Sequence, residues 1–202
     1  MVRAALVVSV WFVLGTASAA EDPQLSANVR GGGVDTRQID QAGSRIRRGH
    51  AEGLIDAPID QVMGVIQDYG NYENFMPKFQ KSRVLSRRGS DALLYVQVSA
   101  LHGMTTLWAE VKVKAKDVSP PSRRIEARML RGNLKQFEAS WQATPVGEHK
   151  TLVAFELCAD PDLPLAIADG LISDQNETEA RRSIRALRTY MATHKPEAPS
   201  AR

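Results

Sequence analysis

A chain of 202 residues, 43% hydrophobic and 24% charged, is long enough for one domain with a sizeable core. Its 26 Lys and Arg against 23 Asp and Glu leave a net charge of only +3, and most bases alternate with acids along the strands, which argues against nucleic acid as a partner. One cysteine, Cys158, excludes an internal disulfide, so the fold must rest on its core, with Cys158 itself a small buried hydrophobe.

Met1-Val2-Arg3 is a short positive start, Ala4 to Leu14 an apolar run, and Gly15 to Ala20 a small-residue zone with Ala17-Ser18-Ala19 at its centre. Residues 1–20 therefore read as a secretory signal peptide cut after Ala19 or one residue later. As a helix the apolar run reaches only ~16 Å against a hydrocarbon core of ~30 Å, so a retained membrane anchor is the weaker alternative. The mature chain is expected to be exported, periplasmic or secreted. Residues 21–44 are polar and broken by Gly31-Gly32-Gly33, which reads as a flexible linker. Residues 195–202, with Pro196 and Pro199, read as a disordered tail, leaving 45–194 as the domain.

Ile46 to Ile55 reads as a first strand. Ala57-Pro58 opens a helix, proline being tolerated where its missing N–H is not needed, and Ile59, Val62, Met63 and Ile66 follow at helical spacing. Tyr72, Phe75 and Met76 form a second short helix or turn ended by Pro77. From Phe79 the pattern switches to strands, with turn signals at Arg88 to Asp91, His102-Gly103, Asp117 to Ser122, Gly132-Asn133 and Pro145 to His149. Five turns separate six strands, so seven are expected in all. Period-2 alternation places Leu94, Val96 and Val98, then Leu107, Ala109, Val111 and Val113, then Ile125, Ala127 and Met129, then Phe137, Ala139 and Trp141, then Val153, Phe155 and Leu157 on one face. No ionisable residue is among them.

Register follows from turn length. A two-residue turn at His102-Gly103 pairs Val98 with Leu107 and Leu94 with Val111. A three-residue connection at Gly132-Asn133 pairs Met129 with Phe137 and Ile125 with Trp141, and the loop at Gly147 sets Trp141 opposite Val153. After Cys158 a helix runs to about His194, with Asp160 or Asp162 as its cap and Leu165, Ala168, Ile172, Ala180, Ile184, Leu187 and Met191 as its apolar stripe. This helix is expected to pack across the sheet, an α+β arrangement.

The order β–α–α–β6–α carries the text Ala57-Pro58 through Tyr72-Glu73-Asn74-Phe75-Met76-Pro77, followed by Ser82-Arg83-Val84-Leu85 and a late Leu163-Pro164. Over about residues 50–192 it resembles the START-like, polyketide cyclase/dehydrase superfamily, nearest its coenzyme-Q-binding members. The resemblance implies a helix-grip fold: a seven-stranded curved antiparallel sheet around a long C-terminal helix, two short helices after strand one, and a hydrophobic pocket between. It implies a lipid, sterol, quinone or polyketide-like ligand, and in some members cyclisation.

The residues themselves offer little chemistry. His50, His102, His149 and His194 lack metal-ligand spacing, and no nucleophile elbow or phosphate loop occurs. Neither metal nor cofactor is expected. General acids or bases would have to come from Asp68, Tyr69, Tyr72, Glu110 or Glu156. Asn176-Glu177-Thr178 matches a glycosylation sequon but falls on the helix. The alanines Ala109, Ala127 and Ala139 lie mid-strand in neighbouring strands, leaving room for a cavity beneath the helix. Its lining is expected to be Leu94, Val96, Val98, Leu107, Ala109, Val111, Ile125, Ala127, Met129, Phe137, Ala139, Trp141, Phe155 and Ile172. Phe75, Met76, Leu101 and Met104 would frame the mouth; at their hairpin tip, Leu101 and Met104 either border that opening, touch a membrane transiently or pack within the loop. An exported, non-catalytic carrier of a hydrophobic small molecule is the leading expectation. A cyclase/dehydrase-like enzyme and a non-binding interaction module are the alternatives, and the sequence does not set the oligomeric state.

Overall fold

The computed structural model describes residues 25–100, 103, 105–116, 118–162 and 168–194. The signal segment, the tail, Leu101, Met104 and Leu165 lie outside them. In chain order the elements are α1 (Ala27–Arg30), β1 (Val34–Ile39), β2 (Arg48–Ile55), α2 (Ile59–Ile66), a 3-10 turn (Tyr69–Asn71), α3 (Tyr72–Phe75), β3 (Phe79–Arg88), β4 (Asp91–Ala100), β5 (Thr105–Lys116), β6 (Arg123–Gly132), β7 (Leu134–Val146), β8 (Lys150–Pro161) and α4 (Asp169–Thr193). The strands form one curved antiparallel sheet in the order β1-β2-β8-β7-β6-β5-β4-β3. Helices lie on part of its inner face.

The described sheet has eight strands rather than seven, and the extra one lies inside the segment read as a linker. Val34–Ile39 pairs with β2. Its alternation is hidden because, beside Val34, the inward side chains are polar and meet polar partners. Thr36 Oγ1 donates to Glu177 at 2.6 Å and Gln38 Nε2 donates to Asp174 at 2.7 Å, both on α4. Just before it, Ser26 caps α1 by accepting from the Val29 N–H, and Val29 is fully buried.

Registers follow the expected pattern with one shift. Val98 faces Leu107, Val96 faces Ala109 and Leu94 faces Val111. Ile125 faces Trp141 and Ala127 faces Ala139, but the β6–β7 ladder ends at Arg128 and Glu138 before Met129 can meet Phe137. Trp141 lies opposite Phe155 rather than Val153, which faces Ala143. The loop closing β7 to β8 is the three residues Gly147 to His149 between paired Val146 and Lys150, with Gly147 at φ +65.

α4 does not cross the middle of the sheet. It packs on β1, β2 and β8 at one side. The inward positions of β2 explain this, since Gly49, Ala51 and Gly53 present almost no side chain. A Cβ on Gly49 would stand 2.2 Å from the Asn176 carbonyl carbon, and one on Gly53 would stand 3.0 Å from Ile184 Cγ2. Close approach buries Ala180, Ile184, Leu187 and Met191 of the expected stripe. It also lets polar side chains pin the helix. Asn176 Oδ1 accepts from the Ala159 N–H at 3.1 Å, and Ser173 Oγ accepts from the Arg47 N–H at 2.9 Å. Arg188 donates to the carbonyls of Leu54, Gly32 and Gly33 at 3.0, 2.7 and 3.3 Å. With Asn176 only 3% exposed, the sequon is closed to a glycan in the folded chain. The cap expected from Asp160 or Asp162 is also absent: β8 runs through Pro161, and Ala168 precedes the helix without a side-chain bond.

Candidate functional site

Displacing α4 to one side, with α2 packed on β7 and β8, leaves the inner face of β4 to β6 largely free of helix, and a cavity of about 560 Å³ opens there. Its sheet wall is Leu94, Val96 and Val98 from β4, Leu107, Ala109 and Val111 from β5, Ile125 and Ala127 from β6, Phe137, Ala139 and Trp141 from β7, and Phe155 from β8. Ile172 borders it from α4 and Met76 from the turn after α3. The Ala127–Ala139 pair supplies depth, with Ala109 doing so further along β5 opposite Gly132, but beneath open space rather than beneath the helix.

Two residues expected at the site lie elsewhere. Met129 precedes a β-bulge in β6, where Glu110 pairs with Arg131 and Val111 with Met129, leaving Leu130 unpaired. Its sulfur folds against Gly132, 3.0 Å from where a Cβ there would stand, so it packs on the core without lining the cavity. Phe75 turns to α4 and stacks on Tyr190 with ring centroids 4.8 Å apart.

The polar part of the lining comes from positions the alternation does not flag. Gln175, Glu179, Arg182 and Ser183 line the cavity from α4, and Lys78 lines it from the turn before β3. Glu179 accepts from Lys78 Nζ at 2.8 Å, Arg182 at 2.7 Å and Gln175 Nε2 at 2.5 Å. Lys78 adopts φ +63, a left-handed conformation that costs a residue with a Cβ about 1–2 kcal/mol, and its ion pair spans the gap to α4. The spacing 175, 179, 182 is a polar helical stripe beside the apolar one, and that is the signal that could have found it.

The candidate acids and bases are otherwise out of reach. Asp68 is exposed. Glu110 sits on the outer face bonded to Arg131, and Glu156 sits there among Arg48, Arg124 and His50. Tyr69 and Tyr72 do border the cavity. Burial pushes both phenols above their ordinary range, and the Tyr72 hydroxyl already donates to the Ile66 carbonyl at 2.6 Å. Neither can serve as a base near neutral pH. Among the described residues no cluster of three or more metal-ligating side chains occurs, and no helix is long and apolar enough to cross a membrane.

Residues 55–188 match the family described as polyketide cyclase / dehydrase and lipid transport. The chain belongs to this family. Solved structures with the same fold include a STAR-related lipid transfer protein from Xanthomonas axonopodis, at TM-score 0.68 and 17% identity over 79% of this chain and 93% of that one. Human StAR-related lipid transfer protein 5 gives 0.67 and 10% over 81% and 84%. An aromatase/cyclase from a Streptomyces species gives 0.55 and 17% over 77% and 99%. No curated protein matches by sequence. The polyketide cyclase / dehydrase and lipid transport family thus covers the helix-grip core from the end of β2 to within α4, while β1 and most of β2 lie before the matched residues.

Proposed function

We propose that this protein is an exported carrier that binds one hydrophobic small molecule, of lipid, sterol, quinone or polyketide-like class, in the cavity between the sheet and α4. The observation that carries the reading is an apolar hollow of about 560 Å³ with no ionisable group on its sheet wall. At ~30 Å³ per water, such a volume would strand many waters against walls that offer them few hydrogen bonds. An apolar ligand removes that penalty, and the volume falls within the ~300–1,000 Å³ typical of small-molecule sites. Neighbours named for lipid transfer support the same reading. Residues 1–20 support export, and sequencing the mature N-terminus should find Ala20 or Glu21.

Organic extraction of the purified mature protein followed by mass spectrometry tests the carrier reading. One equivalent of an apolar compound is expected, and it should be lost in Ala127→Phe and Leu107→Trp, which fill the floor. A protein that purifies empty, takes up no lipophilic probe and is indifferent to both substitutions would point instead to an interaction module.

One observation favours a second reading. The Glu179, Lys78, Arg182 and Gln175 group could polarise a carbonyl in a cyclase-like reaction. Conversion of a polyketide-like substrate that disappears in Glu179→Gln while ligand uptake persists would establish it.

A further inference from the structure

The outer face of the sheet is electrostatically lopsided. Residues 79–132, which span β3 to β6, hold eleven Lys and Arg against four Asp and Glu, a net of +7; with the whole chain at +3, the remainder carries −4. These strands are consecutive neighbours in the sheet, so their charges collect on one half of it, most of them on its outer face; Arg87, over the Tyr69 ring, and Arg123, paired with Asp60, turn inward. Lys81, Arg83, Lys112, Arg128 and Arg131 are all exposed. Of the acids among them, Glu110 is tied to Arg131 and Glu126 lies within ion-pair reach of Lys116, Arg124 and Arg128.

Within that basic rim the face is apolar. Two β-bulges each turn a leucine outward: Leu85 lies unpaired between Val84 and Ser86, and Leu130 between Met129 and Arg131. They are 49% and 59% exposed, among the few large hydrophobics of the described residues that stand so far in solvent. Tyr95 and Trp108, on neighbouring strands beside them, stack with centroids 6.2 Å apart. With strands ~4.8 Å apart, the whole assembly spans ~15 Å. Solvation alone does not call for leucines at two bulges beside an aromatic pair.

We propose that the outer face of β3–β6 is a docking surface for an anionic lipid bilayer. The basic rim meets lipid phosphates, while Leu85, Leu130 and the Tyr95–Trp108 pair enter the headgroup layer, where amphipathic rings are favoured. A second copy of this chain would bring like charges together, and a nucleic acid would leave the leucines without an apolar partner. Apart from Trp108, which also borders the cavity, the surface lies on the opposite side of the sheet from it, so the proposal is independent of the carrier reading.

Flotation of the full mature chain with vesicles tests it, using phosphatidylcholine with and without phosphatidylglycerol, in low and high salt. Binding is expected only to the anionic vesicles and should fall as salt screens the rim. Lys112→Glu with Arg128→Glu should weaken it at least about tenfold. Leu85→Ser with Leu130→Ser should weaken it while leaving the salt dependence intact, and circular dichroism confirms that both variants fold. Ala127→Phe should dock like the parent even with its cavity filled, which separates failure of this proposal from failure of the carrier reading. Equal binding to neutral vesicles, no binding to either, preference for a single-stranded oligonucleotide, or self-association through this face would each overturn the proposal.

Discussion

At Gly49 the backbone of α4 lies so close that even a methyl group has no room, whereas Gly64, mid-way along α2, has nothing within 4 Å of where a Cβ would stand. The same substitution should therefore have opposite signs at the two places. Gly49→Ala must push the helix off its seat, an overpacking cost of about 1–3 kcal/mol. Gly64→Ala only removes backbone freedom from a helix interior, a gain of about 0.5–1 kcal/mol. Urea midpoints measured side by side would check the pair. On the outer face, Glu156 is set by its neighbours. The His50 ring beside it, with Arg124 and Arg48, holds its carboxyl down to about 2 against the upward push of burial. His50 is 5% exposed and its Nδ1 lies 3.4 Å from Glu156 Oε1, within ion-pair reach but without a hydrogen bond. A carboxyl lowered in the folded state is protonated first in the unfolded chain as pH falls. Its stabilising contribution is complete above about pH 5 and drains away towards pH 2. Glu156→Gln should lower the urea midpoint at neutral pH and flatten the acid limb of a stability–pH curve; an unchanged limb would show that the ionised carboxylate contributes nothing there.

Among the elements, α4 is held to the sheet as much by polar pins as by its apolar stripe. Removing the Asn176 amide leaves the Ala159 N–H without its partner, and a buried unpaired donor costs about 1–3 kcal/mol. Asn176→Ala should therefore lower thermal stability, whereas Gln175→Ala, one position away and exposed, should lower it far less; calorimetry of both variants distinguishes them. The sheet was largely legible because apolar alternation fixes faces. It fixes register only modulo two residues, and that is why Trp141 met Phe155 instead of Val153 without any side chain changing sides. β1 was illegible for another reason: Thr36 and Gln38 face a polar stretch of helix, so an interior-facing strand carries a linker's composition. The seat of α4 was written in Gly49-His50-Ala51-Glu52-Gly53, a small residue at every second position, and reading it would have moved the helix aside. Ala109, Ala127 and Ala139 border the cavity, though Ala109 lies further along β5 than the Ala127–Ala139 pair and open space lies above them. Gln175, Glu179 and Arg182 escaped notice because a polar helical stripe normally faces water.

Over the whole molecule, a cavity of this size couples ligand to stability. A ligand that binds only the folded chain, present at a hundred times its Kd, adds about 2.7 kcal/mol. Protein stripped of an extracted apolar compound should melt lower than the loaded form by a margin that returns on adding that compound. Ala127→Phe should melt at one temperature whether or not that compound is present. A ligand-dependent shift surviving in Ala127→Phe would place the binding site somewhere other than this cavity.

The sheet order carries a consequence for how the chain comes to be. β3 to β7 can zip up as successive hairpins while the chain is being made, but β2, with β1 on one side, finds its other neighbour only in β8, so that Arg48 waits for Glu156, 108 residues downstream. Long-range closure of this kind is slow. Until the last stretch has left the ribosome, the polypeptide has an unfinished seam and stays threadable.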